Sequence, residues 1–168
     1  MTAFVLEGQL VSGSEAVRTF EQCFGDLYRA GYQAAYRLLG DRPASEDVAQ
    51  EAMSRAYVRW SRIAGHEVPW TVRVATNLAL DEIRRRRRLG PIDTDAPSAD
   101  AQLERRHDLV LALMRLPKRQ REVVALRYFA DLDDAMVGQL LGISMGSVKQ
   151  HAARGLAALR IDPATKVD

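Results

Sequence analysis

The stretch Asp133–Arg154 constrains this chain most. Val137, Leu140 and Leu141 recur at three- and four-residue spacing, which lines one face of a helix. Gly142 stands where that helix must end, because glycine enters the left-handed conformation at little steric cost. Ile143 is an apolar plug in the turn, and Ser144 is placed to cap a second helix by accepting from its first free N–H groups. In that second helix Val148, Ala152, Gly155 and Leu159 share one side. Ser147, Gln150 and Arg154 point away from it, with Lys149 and His151 on its flanks.

Two helices joined by a tight glycine turn, the second carrying small polar and basic groups outward, match a helix-turn-helix that lays its second helix in a major groove. Arg, Lys and Gln reach base edges and phosphates in that setting. An ordinary helical hairpin with a solvated outer face has the same local pattern, so the rest of the chain has to decide between them.

The chain has 168 residues, room for one ordinary domain or two small ones, and its 47% hydrophobic content supports real cores. A net charge of +2 does not by itself select a nucleic-acid partner. The distribution does more, because five arginines follow one another at Arg84–Arg88. A single cysteine, Cys23, excludes an internal disulfide and a multi-cysteine metal site, and its neighbours Phe20, Phe24 and Leu27 mark it as a core residue. No apolar run reaches membrane-spanning length and no basic-then-hydrophobic leader opens the chain, so a cytoplasmic protein without a membrane span is expected. His66, His107 and His151 are scattered, with no nucleophile–base or metal spacing. No enzyme, cofactor, metal or small-molecule substrate is expected.

Along the chain, residues 1–13 read as an extension without an assigned role. Ser14 is a start signal for a first helix, with Val17, Phe20, Phe24, Leu27, Ala34, Ala35 and Leu38 as its apolar stripe and Gly40 as its end. Gly25 and Gly31 weaken it, and Arg29, Tyr32 and Arg37 are expected to face outward. Asp41 or Ser45 caps a second helix with Pro43 in its first turn. There Val48, Ala52 and Ala56 face inward, while Asp47, Gln50, Glu51 and Ser54 form a polar stripe. Acidic groups near a helix N-terminus need no partner, yet the same stripe is suited to docking another protein.

A third helix is expected from about Trp70 to Arg88, opened by Pro69. Trp70, Val74, Leu78 and Asp81 share one side, and Arg73, Asn77, Arg84 and Arg88 another. Arg neutralises phosphate, Asn reads a base edge and an aromatic stacks on an unpaired base. Five successive arginines exceed what completing a helix dipole requires. Leu89–Glu104 holds Gly90, Pro91, Pro97 and Ser98 with little apolar content and reads as a linker. Fully extended it spans roughly 50 Å, so two heads on this tether can sit on separate parts of one duplex. Leu109, Leu113 and Leu116 then make a short helix, and Pro117 starts another through Phe129, whose Val123, Leu126 and Phe129 are expected to pack on the helix-turn-helix. The fold expected is all-α: a helical bundle over residues 14–88, a linker over 89–104, a helix-turn-helix domain over 105–161 and a tail over 162–168.

Several segments are similar to one family. Leu39-Gly40-Asp41 with Glu46–Glu51 resembles the core-binding segment of bacterial RNA polymerase sigma factors of the extracytoplasmic-function (ECF) group. Ala75–Arg85 resembles that group's promoter-melting helix. Leu116–Phe129, and Leu140–Ser144 through Val148-Lys149, resemble its second conserved domain. The resemblance implies that Asp47, Gln50 and Glu51 bind the clamp helices of the polymerase β′ subunit. It implies that Trp70, Arg73, Asn77, Arg84, Arg85 and Arg88 take the −10 element as it melts, Asn77 meeting a base flipped out of the stack. It further implies that Ser147, Lys149, Gln150, His151 and Arg154 read the −35 element, that the β flap is a second polymerase contact, and that an anti-sigma protein is a partner.

The departures are local. Gly138 stands where the family usually has Ala, which softens that helix by up to about 1 kcal/mol. Met136 and Met145 replace frequent acids, Ala152 and Ala153 replace bulkier residues, and His151 replaces Arg, a weaker phosphate contact when neutral. Modest −35 affinity is expected. Two other readings stand beside this one. Ser147–His151 also resembles the recognition helix of response-regulator transcription factors that dimerise on palindromes, although no alternating strand–helix pattern precedes it. A helical adaptor that binds only protein is the other, against which the arginine run and Asn77 count.

Overall fold

The computed structural model describes residues 18–89 and 101–160, the first four of the second stretch by backbone alone. The described residues form helices without a strand: α1 Phe20–Leu39, α2 Arg42–Val58, α3 Trp60–Ile63, α4 Glu67–Leu89, α5 Ala101–Arg115, α6 Lys118–Val124, a π-helical turn Ala125–Phe129, α7 Asp134–Leu141 and α8 Met145–Leu159. Ser14, Val17, the extension over 1–13 and the tail over 162–168 lie outside the described residues.

Side-chain caps set most of the starts. Thr19 caps α1 in a reciprocal arrangement with Gln22: Gln22 N–H donates to Thr19 Oγ1, and Thr19 N–H to Gln22 Oε1 at 2.9 Å. Asp41, rather than Ser45, caps α2 by accepting from Ala44 N–H at 3.1 Å. Asp133 and Ser144 cap α7 and α8. Gly40 and Gly142 end α1 and α7 in the left-handed region, at φ +67° and +65°.

α1, α2 and α4 form the N-terminal head, and alanine brings them close. Ala34 and Ala35 of α1, Ala49, Ala52 and Ala56 of α2, and Ala75 and Ala79 of α4 are all buried. Gly31, which costs α1 helical propensity, lies inside this crossing: a Cβ there would stand 3.6 Å from Thr71 Cγ2 and 3.7 Å from Ala75 Cβ. Its value is the close approach it permits. Cys23 is buried against Leu27 and Met53, and its thiol is pushed up by burial. Phe24, expected in the apolar stripe, is instead 48% exposed and stacks on Tyr28 at the periphery.

In the C-terminal head Val123 and Leu126 pack with Val137, Leu141, Val148 and Ala152, as the spacing predicts. Gly155 lets α8 approach α6 closely, for a Cβ there would stand 2.7 Å from Val124 Cγ2. Gly138 has a similar role: its missing Cβ would lie 2.8 Å from the carbonyl oxygen of Ile143 in the turn. The glycine that weakens α7 as a helix is what brings the turn against it.

Larger expectations change as well. The helix over 118–129 widens after Val124, where Ala130 N–H reaches back five residues to Ala125 O at 3.0 Å. Phe129 is thereby turned away from the helix-turn-helix and into the cluster that holds Leu38, Leu80 and Ile83 of the N-terminal head. The linker is shorter than residues 89–104, because Leu89 still belongs to α4 and α5 begins at Ala101. Past Pro97 the chain has neither Gly nor Pro until Pro117, and Ala101–Arg105 are strong helix formers. Finally, the heads are not separate bodies on a tether. Val110, Leu113, Met114, Leu116, Val124 and Phe129 share one buried cluster with Ala35, Leu38, Val72, Leu80 and Ile83. The apolar faces of α5 and α6 exceed what the small helix-turn-helix can cover, and α1 and α4 supply the remaining cover.

Candidate nucleic-acid interface

α4 buries Thr71, Val72, Ala75, Thr76, Ala79, Leu80 and Ile83 and leaves the neighbouring face to Trp70, Arg73 and Asn77, all half-buried. Asn77 opens onto a cleft of about 370 Å³ whose other lining residues are Leu80, Asp81 and Arg84 of α4 and Lys118, Arg121 and Glu122 of α6. Its amide carries two donors and an acceptor, the set that pairs with a base edge. Arg121 crosses to this cleft with Nη1 donating to Met114 O at 2.8 Å. Burial, and then the charge of Arg84, disfavours its ionised form.

The arginine run is less free than its sequence suggests. Arg84 pairs with Asp81 at 2.5 Å and Arg85 with Glu82 at 2.7 Å. Arg86 bridges Glu82 at 2.8 Å and Asp41 at 3.1 Å, which ties α4 to the cap of α2. The hydrogen bond from Arg85, with help from Arg86, lowers the Glu82 carboxyl to about 2. Among the described residues Arg87 and Arg88 have no carboxylate partner, and both are exposed. The spacing of Asp81 and Glu82 three and four residues before their arginines was the signal in the sequence for this pairing.

On α2, Asp47, Gln50 and Glu51 are all exposed, opposite the buried Val48, Ala49, Ala52 and Met53. Glu51 is partly matched by Arg55 at 2.8 Å. On α8, Lys149, Gln150 and Arg154 are exposed on the side away from Val148 and Ala152. Ser147 is half-buried and its hydroxyl lies 2.9 Å from that of the cap residue Ser144. His151 is half-buried with Nδ1 enclosed, so only part of its ring faces outward. The three residue sets thus occupy three surfaces on α2, α4 and α8.

The sequence did not point to Arg37 or Arg106. Arg37, expected outward, is half-buried and donates from Nη1 to Phe129 O at 3.1 Å. Arg106 donates to Tyr36 O and lies over the Tyr36 ring, 5.1 Å from its centre. Both reach between the heads.

Residues 23–89 match the family described as Sigma-70 region 2, and residues 106–159 that described as Sigma-70, region 4. The chain is 31% identical over 157 residues to the ECF RNA polymerase sigma factor SigW of Bacillus subtilis strain 168, covering 80% of this chain and 84% of that one. It is 31% identical over 161 residues to the RNA polymerase sigma-E factor of Streptomyces avermitilis, covering 91% and 86%. The fold is similar to that of the sigma factor RpoE solved with the anti-sigma factor NepR from Bartonella quintana, with a TM-score of 0.56, 20% identity and coverage of 84% and 94%. The chain belongs to the ECF RNA polymerase sigma factors, the promoter-recognising factors of transcription initiation. The match over residues 23–89 sets aside the response-regulator alternative, which has no counterpart for that region.

Proposed function

We propose that this chain binds core RNA polymerase through Asp47, Gln50 and Glu51 and lends it promoter specificity through α4 and α8. The exposed acidic face of α2 suits the clamp helices of the β′ subunit, and the C-terminal head suits the β flap. Trp70, Arg73 and Asn77 take the non-template strand of the −10 element, with Arg84, Arg85 and Arg88 along its backbone. Unpairing and unstacking a base costs a few kcal/mol, which selects for steps that open easily. Lys149, Gln150 and Arg154, flanked by Ser147 and His151, enter the major groove at the −35 element. The N-terminal head, residues 14–88, and the C-terminal head, residues 105–161, divide this work. The chain supplies recognition and not chemistry, works in the cytoplasm and needs no cofactor, metal or small-molecule substrate. An anti-sigma protein is its regulatory partner.

The observation that carries this reading is the placement of Asn77. It sits on an arginine-bearing helix beside Trp70 and Arg73, opens to a cleft, and is not sealed within its own head. Polymerase binding is tested by co-purification of core enzyme with the tagged chain. The double reversal Asp47→Lys/Glu51→Lys, on exposed positions whose one ion pair among the described residues is that of Glu51 with Arg55, is expected to cut the yield of core enzyme about tenfold or more while leaving helicity unchanged, because like-charge contacts cost several kcal/mol at an interface. An unchanged yield rejects α2 as the docking face.

A further inference from the structure

The cleft between α4 and α6 holds three cations, Arg84, Lys118 and Arg121, and two acids, Asp81 and Glu122. Both acids are already engaged: Asp81 pairs with Arg84 at 2.5 Å, and Glu122 pairs with Arg119, which does not line the cleft, at 3.1 Å. Lys118, which is exposed, and Arg121 have no carboxylate partner among the described residues. Arg121 gives Nη1 to the carbonyls of Met114 and Leu116, at 2.8 and 3.4 Å. Those bonds fix its guanidinium and leave the Nε and Nη2 donors without a protein acceptor among the described residues. Burial, and then the charge of Arg84, disfavours the ionised form of Arg121, with partial relief from Glu122 and Asp81. Positive charge is therefore held in this cavity at a cost that a bound anion offsets.

The other two lining residues have a different chemistry. Leu80 supplies an apolar edge, and the Asn77 amide supplies a donor and an acceptor, the pair that matches N7 and N6 of adenine. The volume of about 370 Å³ lies within the range of small-ligand pockets, about 300–1,000 Å³. We propose that this cleft binds an adenine nucleotide carrying a polyphosphate, its base against Asn77 and Leu80 and its phosphates against Lys118, Arg121 and Arg84. The two helices that wall the site come from different heads, so the ligand bridges them. The inference goes beyond promoter recognition and stands without it, because Lys118 and Arg121 have no part in the strand and groove contacts.

Isothermal titration of the full chain with ATP, inorganic triphosphate and adenosine, in magnesium-free buffer at fixed ionic strength, tests the site. ATP is expected to bind about tenfold more tightly than triphosphate, within the range of one base-edge contact, and adenosine to give no heat. Lys118→Glu, at an exposed position in the first turn of α6, is expected to weaken ATP and triphosphate alike by about tenfold or more at unchanged helicity. Arg121→Gln should have the same effect on both ligands. Asn77→Ala should remove the advantage of ATP over triphosphate and leave triphosphate affinity as it was. Arg87→Ala, an exposed arginine outside the cleft, should leave every titration unchanged. Absence of ATP binding, equal affinity for ATP and triphosphate, or a loss with Arg87→Ala as large as that with Lys118→Glu overturns the inference. None of those results bears on promoter recognition, which transcription reads separately.

Discussion

Asn77 is the residue on which strand capture turns, because its amide is the one half-buried group of the cleft able both to donate to and accept from a base edge. Removing it leaves the packing of α4 intact, since Thr76 and Leu80 carry the buried face. Asn77→Ala is therefore expected to lower open-complex formation by about tenfold, within the roughly 1–3 kcal/mol of a base contact, with duplex binding at −35 unchanged. Permanganate reactivity of unpaired thymines reads the first quantity and footprinting the second. Glu82 belongs to the same scale. Its carboxyl titrates at about 2 in the fold, held down by Arg85 and Arg86, against 4.5 for an unstrained glutamate. A depressed carboxyl contributes stability above its unfolded value, and that contribution is lost as pH falls toward 2. The gap in melting temperature between the chain and Glu82→Gln should be full at pH 7 and close progressively between about pH 4.5 and pH 2. At pH 7 it corresponds to about 1 kcal/mol, after allowance for solvent screening of a partly exposed network. A gap that does not change with pH removes the ion-pair account. Asn77 was legible in the sequence because its type and flanking arginines are chemistry that periodicity alone does not demand. The neutralisation of three arginines was not drawn from the run itself, since five like charges in a row read as a solvated basic face until their acidic neighbours at i−3 and i−4 are counted.

Elements follow from punctuation in the chain. Asp41 and Ser144 announce helix starts, and Gly40 and Gly142 announce helix ends, in residue types whose local hydrogen bonding or φ leaves few alternatives. The π-helical turn at Ala125–Phe129 was not legible, because Ala-Leu-Arg-Tyr-Phe satisfies an α-helix locally and only the competition between two cores, one for Leu126 and one for Phe129, pulls it open. Glycines show the same division. Gly142 is read from its turn, while Gly138 is read as a weak helix residue, and Gly155 only as one of an inward face, until the backbone and side chains opposite them are seen. Gly155→Leu places a side chain where Val124 Cγ2 already stands, and overpacking of this kind costs about 1–3 kcal/mol. Chemical denaturation should show that loss along with weaker −35 binding, because α8 must move away from α6 to admit the side chain. A variant as stable as the original chain contradicts the close helix crossing.

At the scale of the molecule, sequence separates two groups of helices and a Pro- and Gly-bearing stretch between them, and the family matches fall on the same two groups. How the groups meet is not in the local pattern. The apolar stripe of α5 and α6 is accounted for equally well by packing within one head, and the pairs that decide otherwise, Arg37 with Phe129 and Arg106 with Tyr36, are 92 and 70 residues apart in the chain. Long-range partners of this kind leave no periodic trace. The consequence is a chain whose groove-reading helix and strand-binding helix are presented unequally, the first exposed and the second facing a cleft.

The central claim is that α2, α4 and α8 act together to give core RNA polymerase a promoter. Run-off transcription tests it most directly: purified core enzyme, the full chain and a library of genomic fragments from the source cell, with transcripts mapped by their 5′ ends. The account predicts transcripts that begin at a defined distance downstream of two shared sequence elements, that require the chain, and that fall about tenfold with Asn77→Ala. Core enzyme that associates with the chain yet starts no transcript at a shared element contradicts it.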